Sequence, residues 1–347
     1  MRTLRIAASV VLAGLMSPGL PAAGAAAAQL PATMQAAAIN QAGGPEVITL
    51  HTLPVPKPEA DEVVIAINTA GVASWDVYLR RNPQSIKHSA FPLVLGTDGA
   101  GLIASVGTKV QGFKVGDQVY SYSWDNPHGG FYAEYVAVPA ERVGHVPKGL
   151  TLRQAGAIAT TGLTAIQGID DALHLKAGDT LIIHGASGGV GSLALQFAKL
   201  RGVKVLATAT GDDGMAFAKQ LGADAVVDGR HGDIAAAARE FAPKGVDAVL
   251  ALAGGDTLER CIDALRAGGH VAFPYGVEPE PKARDGVPIV RYNAVPGPKE
   301  FERLNQAIEA INLTVAIEAE FPLAEAGKAQ QRVEAGHILG KVILKVR

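Results

Sequence analysis

The segment Leu181 to Gly191, LIIHGASGGVG, joins an apolar run and a His to seven residues, of which four are glycine. Small side chains let a backbone approach a pyrophosphate, and the first turn of a following helix offers free N–H groups and the positive end of its dipole. The first glycine of the pattern G-x-G-x-x-G is an alanine here, so the interpretation depends on its strand and helix context. The predicted dinucleotide-binding residues are Ala186, Ser187, Gly188, Gly189, Val190 and Gly191.

The end of the second strand distinguishes the two nicotinamide dinucleotides. A carboxylate there accepts hydrogen bonds from the ribose hydroxyls of NAD and repels a 2′-phosphate. The strand end in ATATGDDG carries Thr208 and Thr210 and no acid. We therefore expect NADP, with Thr208, Thr210 or Lys204 as candidate phosphate partners. Asp212 and Asp213 follow closely and weaken this preference, although both fit as caps of the next helix.

Strands and helices alternate around this turn, which predicts an α/β fold with a parallel, doubly wound sheet of the Rossmann type. The predicted series is strand 179–184, helix 189–200, strand 203–209, helix 213–221, strand 224–228, helix 235–241, strand 246–252, helix 257–266 and strand 269–275. The span from Met34 to about Gly149 alternates apolar and polar residues between glycines and prolines, which predicts a partly open β-barrel. The tail contributes one amphipathic helix, PKEFERLNQAIEAI, and a final strand, KVILKV.

Composition excludes several classes of protein. The chain has 347 residues, of which 48% are hydrophobic and 18% charged, and this is enough to bury a core in two domains. Its formal net charge of −2 and the absence of a basic run argue against a nucleic-acid partner. Cys261 is the only cysteine, so the sequence provides neither an internal disulfide nor a Cys-rich zinc site.

Residues 1–33 differ in composition from the remainder. Arg2 and Arg5 precede an apolar run from Ile6 to Met16, and an Ala-x-Ala sequence ends at Ala28. This arrangement is typical of a secretory signal peptide cleaved near residue 28, which leaves no membrane association after processing and a periplasmic or secreted protein. The alternative is a misassigned start, with translation from Met34 and a cytoplasmic protein.

The span from Met34 to Arg347 resembles the medium-chain dehydrogenase/reductase superfamily, particularly its zinc-independent quinone oxidoreductase branch. The segments that carry the resemblance are INQAGGPEVI, AGVASWDVYLR, VLGTDGAG, VGDQV, FYAEYV, TTGLTA, HGASGGVG, LGADAVVD and GKVILKV. The resemblance implies a GroES-like substrate domain over 34–155, a Rossmann domain over 156–290, a C-terminal return to the substrate domain over 291–347, and a homodimer.

The same resemblance bears on metal use. Zinc alcohol dehydrogenases bind their catalytic metal through a Cys after a Gly-Val pair, a His-Glu pair and a later Cys; the matching positions here hold Ala73, Thr97 with Asp98, and Ala157. We therefore expect no metal. The resemblance implies hydride transfer from NADPH to a quinone or an α,β-unsaturated carbonyl, with the developing oxyanion met by hydrogen-bond donors.

Three further positions follow from the resemblance. Tyr78 matches a tyrosine that lines the nicotinamide pocket and is the predicted catalytic residue, whereas Ala73 replaces an asparagine of that motif. Thr161 resembles a residue on the nicotinamide-pyrophosphate side of the cofactor. Leu339 stands where relatives often carry Arg, so we expect no cofactor contact from this position. The loss of the asparagine leaves a second hypothesis open, that of a non-catalytic, stress-associated NADPH-binding protein.

Overall fold

The computed structural model describes residues 30–87 and 90–347. The predicted signal segment, with its cleavage site near residue 28, lies outside the described residues. No helix within the described residues is long and apolar enough to cross a membrane.

The N-terminal half is an antiparallel β-structure with one short helix. Its elements are β1 (Thr33–Ile39), β2 (Thr49–Pro54), β3 (Glu62–Val72), α1 (Ser74–Arg81), β4 (Leu93–Val94), β5 (Asp98–Val106), β6 (Gln118–Tyr122), β7 (Tyr135–Pro139) and β8 (Val143–His145). Strand β3 is central because it pairs with both β5 and β7 and its β-branched side chains are buried. Strands β2, β1 and β4 form a separate small sheet.

Helix α2 (Leu152–Gln167) connects the two halves. Thr151 and Gln154 form a capping box at its start, since the Thr151 hydroxyl accepts from the Gln154 N–H and the Gln154 side chain accepts from the Thr151 N–H. The helix is buried from Ala155 onward, because it packs against β5 on one side and against the first helix of the parallel sheet on the other. The predicted boundary between residues 155 and 156 therefore falls inside this helix.

A six-stranded parallel sheet follows. Its elements are β9 (Thr180–His184), α3 (Gly189–Leu200), β10 (Lys204–Ala209), α4 (Gly211–Gln220), β11 (Ala225–Asp228), α5 (Ile234–Phe241), β12 (Val246–Ala251), α6 (Asp256–Ile262), β13 (Leu265–Pro274) and β14 (Ile289–Tyr292). The spatial order β11-β10-β9-β12-β13-β14 confirms the predicted doubly wound arrangement. The strand order reverses next to β9, and ligands of such sheets bind at the carboxyl ends of the strands at this point.

The tail crosses back to the N-terminal half. It forms α7 (Pro298–Glu309), β15 (Ile317–Pro322), α8 (Ala326–Glu334) and β16 (Lys341–Lys345). Strand β16 pairs antiparallel with β3, so residues from both ends of the chain share one sheet. The sequence predicted α7 and β16 but missed β15 and α8. Helix α8 buries only Ala326, Ala329 and Gln330, so its buried face carries small or polar side chains and gives a weak apolar signal.

A buried arginine fastens α8 to α1. The Arg80 side chain is fully buried, and its guanidinium donates to the Gly43 carbonyl at 3.0 Å, to Gln330 at 2.8 Å and to Glu334 at 2.7 Å. A buried guanidinium is tolerated only when its donors are paired, and these three acceptors meet that need. The helix that carries Tyr78 is thus fixed by residues about 250 positions further along the chain.

Candidate functional site

The turn after β9 brings a helix unusually close to a strand. Gly185 has a φ of +89°, a region that favours glycine, and the Ala186 N–H donates to the Thr208 carbonyl at 2.9 Å. A Cβ on Gly191 would lie 2.7 Å from Ala186 Cα and would also contact the Gly185 carbonyl oxygen. Only glycine at position 191 therefore lets α3 begin directly at the end of β9.

The same turn is open at Gly188. A Cβ on Gly188 would meet only the Gly185 carbonyl oxygen, at 3.7 Å. The first intrahelical bond runs from the Ser192 N–H to the Gly188 carbonyl, so the N–H groups of residues 189–191 have no acceptor within the helix. These amides and the positive end of the helix dipole suit an anion, and the small residues leave room for it. The predicted loop therefore fits the diphosphate of a dinucleotide.

The predicted phosphate partners do not all lie at this edge. Lys204 begins β10 and pairs with Thr180 at the start of β9, so it lies at the opposite end of the sheet from the glycine turn. The Thr208 side chain is buried, and its hydroxyl contacts His184 Nδ1 at 2.7 Å and the Gly185 N–H at 3.3 Å. Both are therefore removed from the set of phosphate partners. Thr210 remains, because it is the half-buried N-cap of α4.

His184, at the end of β9, and Cys261, on α6, are buried structural residues of the parallel-sheet half. Burial, assisted by the charge of Arg260, lowers the pKa of His184 to about 4, so the ring is neutral near pH 7. Burial raises the pKa of the Cys261 thiol to about 12, which leaves no thiolate at neutral pH. Thr208 and His184 together cross-link the ends of β9 and β10 and hold the glycine turn in place.

The tail supplies site residues that sequence reasoning missed. The Gly340 N–H donates to the Ser187 carbonyl at 2.9 Å, which brings the start of β16 against the glycine turn. The Lys341 side chain packs over Gly189 and is almost fully buried. Its Nζ donates to the Val72 carbonyl at 3.3 Å and lies 5.4 Å from the centre of the Trp75 ring. The sequence signal that could have identified Lys341 is a lysine at the first position of a buried strand.

The positions expected for metal ligands have other roles. The Asp76 carboxylate accepts from the Ala73 N–H at 2.8 Å, and Asp98 accepts from the Thr160 N–H at 2.9 Å. The Trp75 indole N–H donates to the Thr97 hydroxyl at 2.7 Å. The part of the chain that the structure describes contains no group of three His, Cys, Asp or Glu side chains placed to hold a metal ion.

Asp76 is a buried acid with an unusual protonation state. Burial raises its pKa from 3.8 to about 7, the nearby charge of Asp98 adds to this rise, and Lys341 and the Ala73 N–H oppose it. The carboxyl group is therefore partly protonated near neutral pH. Only two positions further along α1, the Tyr78 side chain is half-exposed, as a group that meets a substrate must be. Thr161 is buried, and its hydroxyl donates to the Ala157 carbonyl at 3.4 Å.

Two family models match the chain. The alcohol dehydrogenase GroES-like domain matches residues 59–148, and the zinc-binding dehydrogenase model matches residues 189–291. The quinone oxidoreductase of Mus musculus is 32% identical over 326 residues, which cover 90% of this chain and 97% of that protein. The chain belongs to the quinone oxidoreductase branch of the medium-chain dehydrogenase/reductase superfamily. The probable quinone oxidoreductase of Schizosaccharomyces pombe is 33% identical over 326 residues, covering 88% of this chain and 95% of that protein.

Solved structures of this branch have the same fold. The quinone oxidoreductase from Coxiella burnetii has a TM-score of 0.80 at 29% identity, covering 91% of this chain and 100% of that chain. A mycobacterial protein solved in complex with NADPH has a TM-score of 0.79 at 30% identity, covering 90% of this chain and 100% of that chain. The predicted combination of a Rossmann sheet with a GroES-like domain is confirmed, and so is the prediction that the protein is an oxidoreductase.

Substitution of Gly188 tests the placement of the dinucleotide. Gly188→Leu should raise the dissociation constant for the dinucleotide at least tenfold, because the side chain fills the open face of the turn. Gly188→Ala is the matched control, since its Cβ meets only one atom at 3.7 Å, and it should bind within about threefold of wild type. Isothermal titration calorimetry measures both, and wild-type affinity in Gly188→Leu would contradict the placement.

Protonation of Asp76 predicts a particular pH dependence of stability. Its pKa is higher in the folded than in the unfolded chain, so the folded state holds more protons between pH 4 and 7 and loses stability as the pH rises through that window. The free energy of unfolding of wild type relative to Asp76→Asn should fall by about 2 kcal/mol from pH 5 to pH 8, measured by urea titration. Asp285→Asn, at an exposed position, is the control; an equally steep change there would refute the assignment.

Proposed function

We propose that this protein is a zinc-independent, NADPH-dependent reductase that transfers hydride to a quinone or an α,β-unsaturated carbonyl compound. A similar mycobacterial protein was solved in complex with NADPH, and the glycine turn fits the diphosphate of such a nucleotide. The observation that carries the proposal is that Gly340 and Lys341 join this turn to Val72 and to Trp75, which lies three residues before Tyr78 on α1. The cofactor and the substrate would then bind in a cleft between the parallel sheet and the GroES-like half.

Zinc independence rests on the chemistry of the available ligands. One matching family model is named for zinc binding, but the corresponding positions hold Ala73 and Ala157, whose methyl groups cannot coordinate a metal. The Asp98 carboxylate already accepts from the Thr160 N–H and is fully buried. A single carboxylate and a threonine hydroxyl do not make the three-ligand set of a catalytic zinc site.

The preference for NADP rests on the end of β10. Thr210 and the preceding alanine occupy the strand end itself, and the acids that follow, Asp212 and Asp213, lie in the first turn of α4. The similar mycobacterial protein was solved with NADPH, which supports the same choice here. Ser187, Gly188 and the amides of residues 189–191 would hold the diphosphate, and Thr210 would lie beside the adenosine ribose.

The residues of the cleft position the reactants. The cofactor supplies a hydride when bound. The Tyr78 hydroxyl would donate a hydrogen bond to the carbonyl oxygen of the substrate and so favour the negative charge that develops there. The buried ammonium of Lys341, near the glycine turn, adds a positive potential that favours the same charge. Asp76 fixes the start of α1 by capping Ala73, so it acts on the position of Tyr78 rather than on the substrate.

One observation favours the second candidate function, a non-catalytic NADPH-binding protein. Ala73 replaces the asparagine of the family motif and removes one polar contact to the substrate. The two functions differ in a single assay, in which purified protein with NADPH is offered a panel of quinones and enones. Consumption of NADPH that persists after treatment with a strong chelator supports the zinc-independent reductase. Tight NADPH binding without turnover supports the binding protein, and activity lost to chelation and restored by zinc contradicts metal independence.

Tyr78 is the residue whose substitution separates catalysis from cofactor binding. Tyr78→Phe should lower kcat/KM about 10- to 100-fold, because it removes one donor to the developing oxyanion, while the dissociation constant for NADPH stays unchanged. Val115→Ala is the control, since Val115 is as exposed as Tyr78 but precedes β6, at the end of the β5-β6 pair that lies away from Asp98. Equal activity of both variants in the NADPH assay would remove Tyr78 from the mechanism.

We further propose a homodimer formed through β14. The outer edge of this strand is unpaired among the described residues, and such an edge is a template for a second chain. Val290 is exposed on it, and the Arg291 guanidinium lies 4.2 Å from the centre of the exposed Tyr275 ring. Val290→Lys should convert a dimer to a monomer in sedimentation equilibrium, and an unchanged mass would contradict this interface.

N-terminal sequencing of native protein would decide between export after cleavage near residue 28 and a cytoplasmic start at Met34.

A further inference from the structure

The turn between α8 and β16 extends to the second β-α unit of the parallel sheet. His337 Nε2 lies 2.9 Å from Asp213 Oδ2, although the two residues are 124 positions apart. The His337 Cε1 atom lies 3.6 Å from the position that a Cβ on Gly211 would take. The tail therefore places an imidazole directly over the loop at the end of β10.

Several contacts hold this imidazole in place. His337 has a φ of +48°, in the left-handed region that residues with side chains rarely adopt. The Arg332 guanidinium donates to the carbonyl oxygens of Gly336 and His337, at 2.8 and 2.9 Å. Glu318 pairs with Arg332 and accepts from the Leu339 N–H at 2.6 Å. These contacts fix the backbone of the turn, and the contact with Asp213 fixes the ring, so the position of the imidazole is pre-organised.

The end of β10 is where a dinucleotide fold reads the 2′ position of the adenosine ribose. The first and second turns meet there, since the Ser187 hydroxyl lies 3.6 Å from a Cβ built on Gly214. The charged side chains of α4's first turn are Asp212 and Asp213, and both would repel a phosphate. A 2′-phosphate at this site therefore needs a cation from another part of the chain.

We infer that His337 and Asp213 together set the preference of this protein for NADPH over NADH. The inference rests on the proposed function, because it specifies how the same cofactor site selects its nucleotide. The form of His337 that carries a proton on each ring nitrogen would neutralise the Asp213 carboxylate, which otherwise repels the 2′-phosphate. In that form the Nδ1–H, which has no partner among the described residues, would donate a charge-assisted hydrogen bond to the phosphate.

The second carboxylate oxygen of Asp213, Oδ1, keeps this side chain beside the proposed 2′-phosphate site. Its Oδ1 accepts from the Gly214 N–H at 2.8 Å, which fixes the carboxylate at the start of α4. The hydrogen bond from His337 lowers the pKa of Asp213, with the Gly214 N–H contributing to the same shift. The carboxylate is therefore ionised and stays close to the 2′ position, so its effect on the phosphate depends on whether His337 covers it.

Other cations lie near the same edge. Arg260 on α6 donates to the Thr257 hydroxyl, which itself donates to the Gly229 carbonyl, so this guanidinium is already engaged. Two more cations follow β11. The Gly229 N–H donates to the Ala209 carbonyl at 2.8 Å, so Arg230 and His231 lie close to the end of β10. Both side chains are exposed, and neither makes a hydrogen bond or ion pair with another described side chain. A mobile side chain loses conformational entropy when it binds a phosphate, whereas His337 is already held. Position and pre-organisation therefore favour His337.

The test compares affinities for NADPH and NADH in the full chain by calorimetry. His337→Asn is the informative variant, because asparagine tolerates the left-handed φ and keeps the turn folded. It should lower the ratio of NADPH to NADH affinity at least tenfold by weakening NADPH alone. Asp213→Asn should leave the ratio unchanged or raise it. The double variant should recover most of the loss, because the repelling carboxylate is gone.

Arg230→Gln is the matched control, and its ratio should stay within twofold of wild type. An unchanged ratio in His337→Asn, a loss confined to Arg230→Gln, or a wild type that binds both dinucleotides equally would overturn the inference. A general loss of folding would lower both affinities together, and Asp213→Asn, at an exposed position, then provides an independent measurement of the carboxylate's effect. A wild type that binds neither dinucleotide would contradict the proposed function instead.

Discussion

The contact between α3 and β9 at Gly191 is the constraint on which the cofactor site depends. Because a Cβ at this position would overlap Ala186, the helix begins directly at the strand end only when the residue is glycine. The resulting turn exposes the first amides of α3, and Thr208 fixes its inner side through the Ala186 N–H. An anion site of this kind consists of backbone donors whose position is set by packing, so a buried clash at Gly191 would displace the donors themselves.

The C-terminal tail joins the glycine turn to the GroES-like half, so the geometry of the proposed cleft depends on both ends of the chain. Strand β16 pairs with β3, with Val342 opposite Val72, and the residue before β16 donates to the glycine turn. The pairing of β16 with β3 joins the tail to the GroES-like half, and the Gly340 contact joins the tail to the parallel sheet. The same short segment thus sets the distance between the diphosphate site and α1. Buried Arg80 on α1 also binds the tail, because its guanidinium donates to Gln330 and Glu334 on α8.

The periodic elements were predictable because their patterns are local. Helix α3 spans residues 189–200 as predicted, since one apolar face and a glycine turn define both ends. Helix α6 was predicted to reach Arg266 but ends at Ile262, because Leu265 pairs with Val246 and begins β13. Propensity favoured the longer helix, whereas the sheet competes for the same residues. Helix α8 was missed because alanine and glutamine fill its buried positions.

The candidate site also has a part that local sequence predicts and a part that depends on contacts between distant residues. The glycine turn was predictable from eleven consecutive residues, but Lys204 was assigned to the site only because it lies close to Thr208 along the chain. A strand of six residues separates its ends by about 16 Å, so neighbouring residues of one strand serve opposite edges of a sheet. Lys341 and His337 were missed for the converse reason, since their contacts arise only when the tail crosses back.

The charges buried near α1 are not balanced by side chains alone. Asp76 and Asp98 are fully buried and Lys341 nearly so, and two carboxylates with one ammonium leave an excess negative charge in a region of low dielectric. Burial and the charge of Asp98 raise the pKa of Asp76 to about 7, so uptake of a proton relieves that excess. A protonated Asp76 still accepts from the Ala73 N–H, so the cap of α1 survives the loss of charge. A bound proton therefore balances this buried charge, and the start of the Tyr78 helix keeps its position in both protonation states.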